Sequence, residues 1–286
     1  VSAGAVEPGL ASLARGGELA DEELKACCAD AYANPAVRWL LGEELHPGGA
    51  ATTLRTLELA GLRPGERLLD VAAGAGASAI LAARELGVEA LGVEYGERAV
   101  EAARADAAAA DFEASVRFLR GDAEALPVED ASFDVVLCEC SLCTFPDKRR
   151  AVAEFRRALR PGGRLALSDV VAEAGALPAQ LRGAMATVAC VGGALPLGGY
   201  EELLAAGGFS LARHELLAGD ADLFARRIEE RLRGARLLGI GPPEGAPLRV
   251  EQAIDAVRMA RRAIADGLLG YAILIAQLSE PARSQT

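Results

Sequence analysis

Glu66-Arg67-Leu68-Leu69-Asp70-Val71-Ala72-Ala73-Gly74-Ala75-Gly76-Ala77-Ser78 reads as a hydrophobic strand running into a turn of small residues. Gly74 and Gly76 lack a Cβ, so the backbone there can turn sharply and come close to a ligand. A helix starting near Ala77 would aim its first amides at the same place. Gly74-x-Gly76-x-x-Ala79 also fits the dinucleotide pattern whose last position is Gly or Ala, so the turn alone points to a nucleotide-type ligand and no further. Phe133-Asp134-Val135-Val136-Leu137-Cys138-Glu139-Cys140-Ser141-Leu142-Cys143 reads as another strand, tipped with three cysteines. A reactive group held at the glycine turn would face thiols.

Outward from these two stretches, strands are expected at 67–71, 89–94, 116–120, 133–138, 164–169, 209–217 and 270–277. Helices are expected at about 77–87, 97–109, 147–159, 177–189, 199–206, 220–236 and 250–266. Strands alternating with helices imply right-handed crossovers, and so an α/β fold with a mostly parallel seven-stranded sheet and helices on both faces. Ligands then bind outside the carboxyl ends of the strands. Ahead of the sheet, residues 1 to about 20 are Gly/Ala-rich and expected to be mobile at the start. Asp21 to Leu41 reads as one or two helices with Asp21 as candidate N-cap, and His46-Pro47-Gly48-Gly49 breaks that run. A further helix at 50–60 ends near Gly61. This divides the chain into an N-terminal helical lid (1–60), a nucleotide-binding core (61–219), and a helical insertion with a last strand closing the sheet (220–286).

The formal net charge of -11 argues against nucleic acid as a partner. The arginines at 226–227 and 258–262 sit among Glu and Asp at helical spacing, as on a solvated helix face. The longest apolar run, Leu268 to Leu278, is about half of what a bilayer crossing needs. No basic segment followed by an apolar run opens the chain, so no membrane association and a cytoplasmic location are expected. Six cysteines in such a setting are expected to be reduced: Cys27, Cys28, Cys138, Cys140, Cys143 and Cys190. Cys140-x-x-Cys143 has zinc-pair spacing, but no second pair lies nearby and no metal is expected.

Glu94 ends the second strand, Gly121-Asp122-Ala123 follows the third, and Leu159-Arg160-Pro161-Gly162-Gly163 precedes the fifth. In this order, after the glycine loop, the chain resembles the class I S-adenosylmethionine-dependent methyltransferases over roughly residues 61–215. The resemblance implies a Rossmann-like methyltransferase fold and S-adenosyl-L-methionine as cofactor. It also implies that Asp70, Gly74 and Gly76 surround the methionine part, that Glu94 holds the ribose, and that Asp122 with Ala123 meets the adenine. Ala72 departs from the pattern, since many relatives have Gly there; the extra methyl tightens the turn.

Cys143, just past the fourth strand, and Cys190, in Ala189-Cys190-Val191-Gly192-Gly193-Ala194-Leu195, lie in contexts similar to the core cysteines of arsenite methyltransferases. Those relatives use further cysteines on the N-terminal side, where this chain offers Cys27 and Cys28. The resemblance implies methyl transfer to a soft, thiol-bound acceptor, arsenite foremost. Trivalent arsenic is thiophilic and keeps a lone pair that can attack a sulfonium methyl without a general base, which suits a chain with only His46 and His214. The alternatives are a small organic acceptor (a quinone, a sterol-like molecule or a thiol metabolite) or a metalloid-binding module without turnover. Cys138 alternates with apolar neighbours and is expected in the core. Cys140 is open between strand-end core and pocket wall. His46 is read as lining the lid or capping a turn, and Trp39, Tyr32 and Tyr200 as core or lid packing.

Overall fold

The computed structural model describes residues 19–42, 45–182, 184–239 and 250–279; the start of the chain, expected to be mobile, lies largely outside them. Three helices come first: α1 (Asp21–Ala33), α2 (Pro35–Leu41) and α3 (Gly49–Leu59). Alternation then begins with β1 (Arg67–Val71), α4 (Ala77–Leu86), β2 (Glu89–Glu94), α5 (Glu97–Ala109), β3 (Val116–Arg120) and β4 (Phe133–Glu139). It continues with α6 (Lys148–Ala158), β5 (Leu159–Ala172), α7 (Ala184–Val188), α8 (Leu197–Ala206) and β6 (Phe209–Leu216). The long helices α9 (Ala218–Leu237) and α10 (Val250–Ala265) lead into β7 (Leu269–Leu278).

The seven strands form one sheet in the order β3-β2-β1-β4-β5-β7-β6. The first five pair in parallel, and β7 runs antiparallel to both β5 and β6. The last strand therefore enters between β5 and β6, leaving β6 at the edge. Strand alternation divides the core between the two faces. Val136 and Cys138 of β4 join Leu69, Val71, Leu165 and Leu167 beneath Phe155 and Tyr200. Val135 and Leu137 join Leu68, Ala90, Ile273 and Ile275 beneath α3, α4 and α5. Cys138 is fully buried there as a small apolar residue.

Four details depart from the sequence reading. The N-cap of α1 is Ala20, whose N–H donates to the Glu23 carboxylate at 3.1 Å, and Asp21 is the first helical residue. The helix expected at 177–189 is instead a 3-10 turn at Ala179–Leu181, entered from an extended Pro178 at its N-cap, followed by the short α7. Trp39 is 52% exposed and so lies outside the core. The arginines of the last two helices tie α9 to α10, with Glu229 taking Arg258 at 3.1 Å and Arg261 at 3.0 Å.

Candidate functional site

At the carboxyl ends of β1, β2 and β4 lies a cavity of about 630 Å³. The turn after β1 lines it. Ala72, Gly74 and Gly76 all have positive φ (59°, 54° and 80°), so Ala72 adopts a conformation that glycine would take at no cost. A Cβ built on Gly74 meets nothing within 4 Å, leaving backbone open to the cavity. One on Gly76 would stand 2.7 Å from Cε1 of Phe118, so that glycine is required by packing. The Gly74 N–H donates to Glu94 Oε2 at 2.9 Å and the Gly96 N–H to Oε1 at 2.8 Å, so Glu94 braces the turn from β2. Burial pushes the Glu94 carboxyl above its ordinary range, opposed by the N–H groups of Gly96, Gly74 and Tyr95. Asp70 is 3% exposed and lines the cavity, and its Oδ2 has no partner. Burial, then the charges of Glu139 and Glu94, drive that carboxyl well above the usual range. An open backbone cradle, an orphaned buried carboxylate oxygen and a carboxylate at the end of β2 fit a nucleoside bearing a cationic amino-acid arm. Asp70, Gly74, Glu94 and Ala123 all line that space.

At the opposite end Asp122 is engaged by the protein. Its Oδ1 accepts from the Glu124 N–H at 2.8 Å, and its Oδ2 takes Lys25 Nζ at 2.8 Å. Lys25 also reaches Glu124 Oε2 at 2.8 Å. Burial works against its charge, yet the bonds to Asp122 and Glu124 hold the ammonium above its ordinary range. Lys25, Cys28, Ala29 and Tyr32 all line the cavity, the spacing of one face of α1.

The cysteines meet on that same side. β4 ends at Glu139, Cys140 takes φ 49°, and the chain enters a 3-10 turn at Leu142–Thr144. This turns Cys143 inward, where its N–H donates to Asp169 Oδ2 at 2.8 Å. Cys140 therefore forms the cavity wall, while Cys143 and Cys190, 0% and 2% exposed, lie behind it. Cys190 Sγ donates to the Cys140 carbonyl at 3.2 Å, and Cys143, Cys190 and Cys140 pack in one cluster. The Tyr32 hydroxyl stands 3.0 Å from the same sulfur and 3.1 Å from the Val188 carbonyl. These neighbours, Cys140 and Cys143 first, pull the Cys190 thiol well below its ordinary range against the effect of burial. Cys28 is pushed up to about 12 by burial and by the charges of Cys190 and Cys27. Cys27 is buried with Ala31 and Val188 away from the cavity lining. Among the described residues no group of three or more His, Cys, Asp or Glu side chains is arranged to hold a metal ion.

A third group forms the cavity floor and was not singled out from the sequence as a unit. Glu139 Oε2 accepts from Ser78 Oγ at 2.7 Å and Thr53 Oγ1 at 2.9 Å, and Oε1 from Ser168 Oγ at 3.1 Å. His46 Nε2 is 3.8 Å from Glu139 Oε2, and its ring stacks on Tyr271 at 6.4 Å between centroids. The sequence signal was a carboxylate at the carboxyl end of a central strand, beside the cysteines that drew attention instead.

Among known proteins, the family model described as a methyltransferase domain matches residues 62–212, just over half of the chain. The 27-O-demethylrifamycin SV methyltransferase of Amycolatopsis mediterranei is 43% identical over 152 residues, 49% of this chain and 56% of that protein. An arsenite methyltransferase of Halobacterium salinarum is 41% identical over 114 residues, 39% of this chain and 29% of that protein. The chain thus spans about half the length, or less, of these curated relatives. The crystal structure of the [4+2]-cyclase SpnF superimposes with a TM-score of 0.68 at 28% identity, covering 81% of this chain and 82% of that one. The glycine turn, the strand order and the matched family model together place the chain in the methyltransferase-domain family, among the class I S-adenosylmethionine-dependent methyltransferases.

Proposed function

We propose that this chain transfers a methyl group from S-adenosylmethionine to a soft, thiol-bound acceptor, with trivalent arsenic first in line. When bound, the cofactor supplies an electrophilic methyl on a sulfonium. Asp70 and the backbone at Gly74 would hold its amino-acid arm, Glu94 its ribose, and Ala123 with the Asp122 carboxylate its base. The helices α1 to α3 act as the lid, with α1 laid across the cavity through Lys25 at one end and Tyr32 at the other.

The observation that carries the acceptor is the packing of Cys140, Cys143 and Cys190, from two separate segments, into one cluster beside the cavity. Soft sulfur ligands favour a thiophilic centre. Each arsenic–sulfur bond forms as an arsenic–oxygen bond breaks, and the thiol proton leaves with the hydroxide as water. Cys190, the most acidic of the three, would bind first. Cys140 would follow from the wall, and Cys143 from behind once the clustered thiols turn toward the cavity. On the N-terminal side Cys28 is the thiol that faces the cavity, so it and not Cys27 is the candidate for a further ligand. The protein's task is then positioning, since the acceptor's lone pair needs no proton removed.

Replacing Cys140, Cys143 or Cys190 singly with Ser should abolish arsenite capture and methylation while leaving S-adenosylhomocysteine affinity within about twofold, since oxygen is a poor ligand for a soft centre. Wild-type behaviour in all three would overturn the reading. Capture without methylated product would leave a binding module. A second reading, a small organic acceptor such as a quinone, rests on His46 at the cavity floor, the imidazole placed to take a hydroxyl proton. The likeness to a cyclase is a reminder that the fold alone does not fix the chemistry.

A further inference from the structure

The inner end of the cavity holds three carboxylates, and among the described residues no lysine or arginine is paired with any of them. Asp70 has an oxygen without a partner, Glu94 is bonded to backbone N–H groups, and Glu139 is bonded to three hydroxyls. Their side chains are buried, with Glu139 only 6% exposed. The lysine nearest the cavity, Lys25, is committed to Asp122 and Glu124 at the other end. The cavity arginines Arg38, Arg84 and Arg98 are exposed at the rim. His46 stands 3.8 Å from Glu139, and the Thr53 hydroxyl bridges them, 2.9 Å from the carboxylate and 3.4 Å from the imidazole.

Buried carboxylates are costly unless a countercharge arrives. The hydroxyls of Ser78, Thr53 and Ser168 fix Glu139 in place without neutralising it, leaving its charge to act on whatever enters. Methyl transfer changes the cofactor in one electrostatic respect, since the sulfonium donor is positive at sulfur and the thioether product is not.

Resting on the methyl-donor reading above, we propose that Glu139 is a specificity-determining residue that makes this site favour the positively charged cofactor over its neutral product. Glu94 and Asp70 hold groups common to donor and product. Glu139, at the tip of β4 between the glycine turn and the thiol wall, is the carboxylate on the path from donor to acceptor. Its charge attracts the sulfonium and loses that attraction as the methyl departs, which favours product release.

The test is calorimetric titration of the full chain with three ligands. These are S-adenosylmethionine, S-adenosylhomocysteine, and sinefungin, which carries an ammonium in place of the sulfonium methyl. Glu139→Gln keeps the shape and removes the charge. It should weaken binding of both cationic ligands about tenfold, the size of one partly screened charge contact, and change S-adenosylhomocysteine less than about twofold. Glu139→Asp draws the charge back by one methylene and should give an intermediate ratio, which also covers the case in which the Gln variant does not fold. Equal losses for all three ligands, or no change for any, would overturn the proposal. Failure of the wild type to bind any of them would instead overturn the methyl-donor reading.

Discussion

The two glycines of the turn should fail in different ways when each gains a single methyl. Gly76→Ala must hold φ near 80°, at a cost of about 1–2 kcal/mol for an L-residue. Its Cβ would also stand 2.7 Å from Phe118 Cε1 and 3.0 Å from Ala103 Cβ, and Phe118 is 3% exposed between sheet and helix. Overpacking of that kind adds about 1–3 kcal/mol, giving a loss of roughly 2–5 kcal/mol. At about 2–4 °C per kcal/mol for a protein of this size, the melting temperature should fall by roughly 4–20 °C. Gly74→Ala carries a similar backbone cost at φ 54°, but its Cβ meets nothing within 4 Å. Its melting temperature should therefore fall by only about 2–8 °C. Its Cβ would stand where the cofactor approaches backbone, so affinity for S-adenosylhomocysteine should fall about tenfold or more, equivalent to about 1.4 kcal/mol. Thermal melts and calorimetry on the two variants read both quantities. If Gly74→Ala binds like wild type, the turn does not cradle the cofactor. If Gly76→Ala melts within about 2 °C of wild type, Phe118 gives way and the packing argument fails.

Cys138→Ser places a hydroxyl in the core between β4 and its covering helices, and should cost roughly 1–3 kcal/mol in denaturant unfolding without touching arsenite capture. Asp169 is buried and its carboxyl is raised to about 7, by burial first and then by the Cys190 charge. The native state then keeps a proton that the unfolded chain has already released, so this group's contribution to stability is greatest below the ordinary carboxylate range. It falls as pH rises toward about 7 and levels off above it. Melts at a series of pH values should be less steep over that window for Asp169→Asn than for wild type, and identical slopes would refute the assignment. Lys25→Met removes the bridge from α1 to Asp122 and Glu124, so iodoacetamide should label Cys28 and Cys140 several-fold faster if α1 is a lid. Unchanged labelling would mean that α1 is held by packing alone.

The sheet was legible because each strand is a short apolar run bounded by turn residues, and the bounds of β1, β2 and β3 coincide with the expected ones. The antiparallel insertion of β7 between β5 and β6 was not. Periodicity places a strand but does not choose its neighbours, and a long helical excursion can return the chain to either side of β6. Of the residues expected around the cofactor, Asp70, Gly74, Glu94, Asp122 and Ala123 line one cavity, while Gly76 is buried outside its lining. Lys25 on Asp122 was not legible, because it comes from a helix 97 residues away. Tyr32 was read as packing for the same reason, although its hydroxyl reaches Cys190 across 158 residues.

The thiol cluster depends on something the sequence does not announce. Among the described residues five non-glycines have positive φ: Ala72, Asp111, Ala131, Cys140 and Cys190. Two of the five are cysteines in contact, the Cys190 thiol on the Cys140 carbonyl, and each carries the roughly 1–2 kcal/mol penalty that glycine would avoid. Such a conformation persists when its surroundings fix it. Here the Cys140 N–H donates to the Ser168 carbonyl at 2.7 Å and the Cys190 N–H to the Thr187 carbonyl at 2.9 Å. The left-handed backbone at Cys140 is also what separates it from Cys143. It stops β4 at Glu139, leaves the carboxylate of Glu139 on the floor and the Cys140 thiol on the wall, and sends Cys143 behind them to Asp169. If turning the chain were the only requirement, glycine would meet it at both positions with less strain. A cysteine at both instead, with Cys190 Sγ held by the Cys140 carbonyl and the Tyr32 hydroxyl, is the arrangement that the proposed thiophilic acceptor would use.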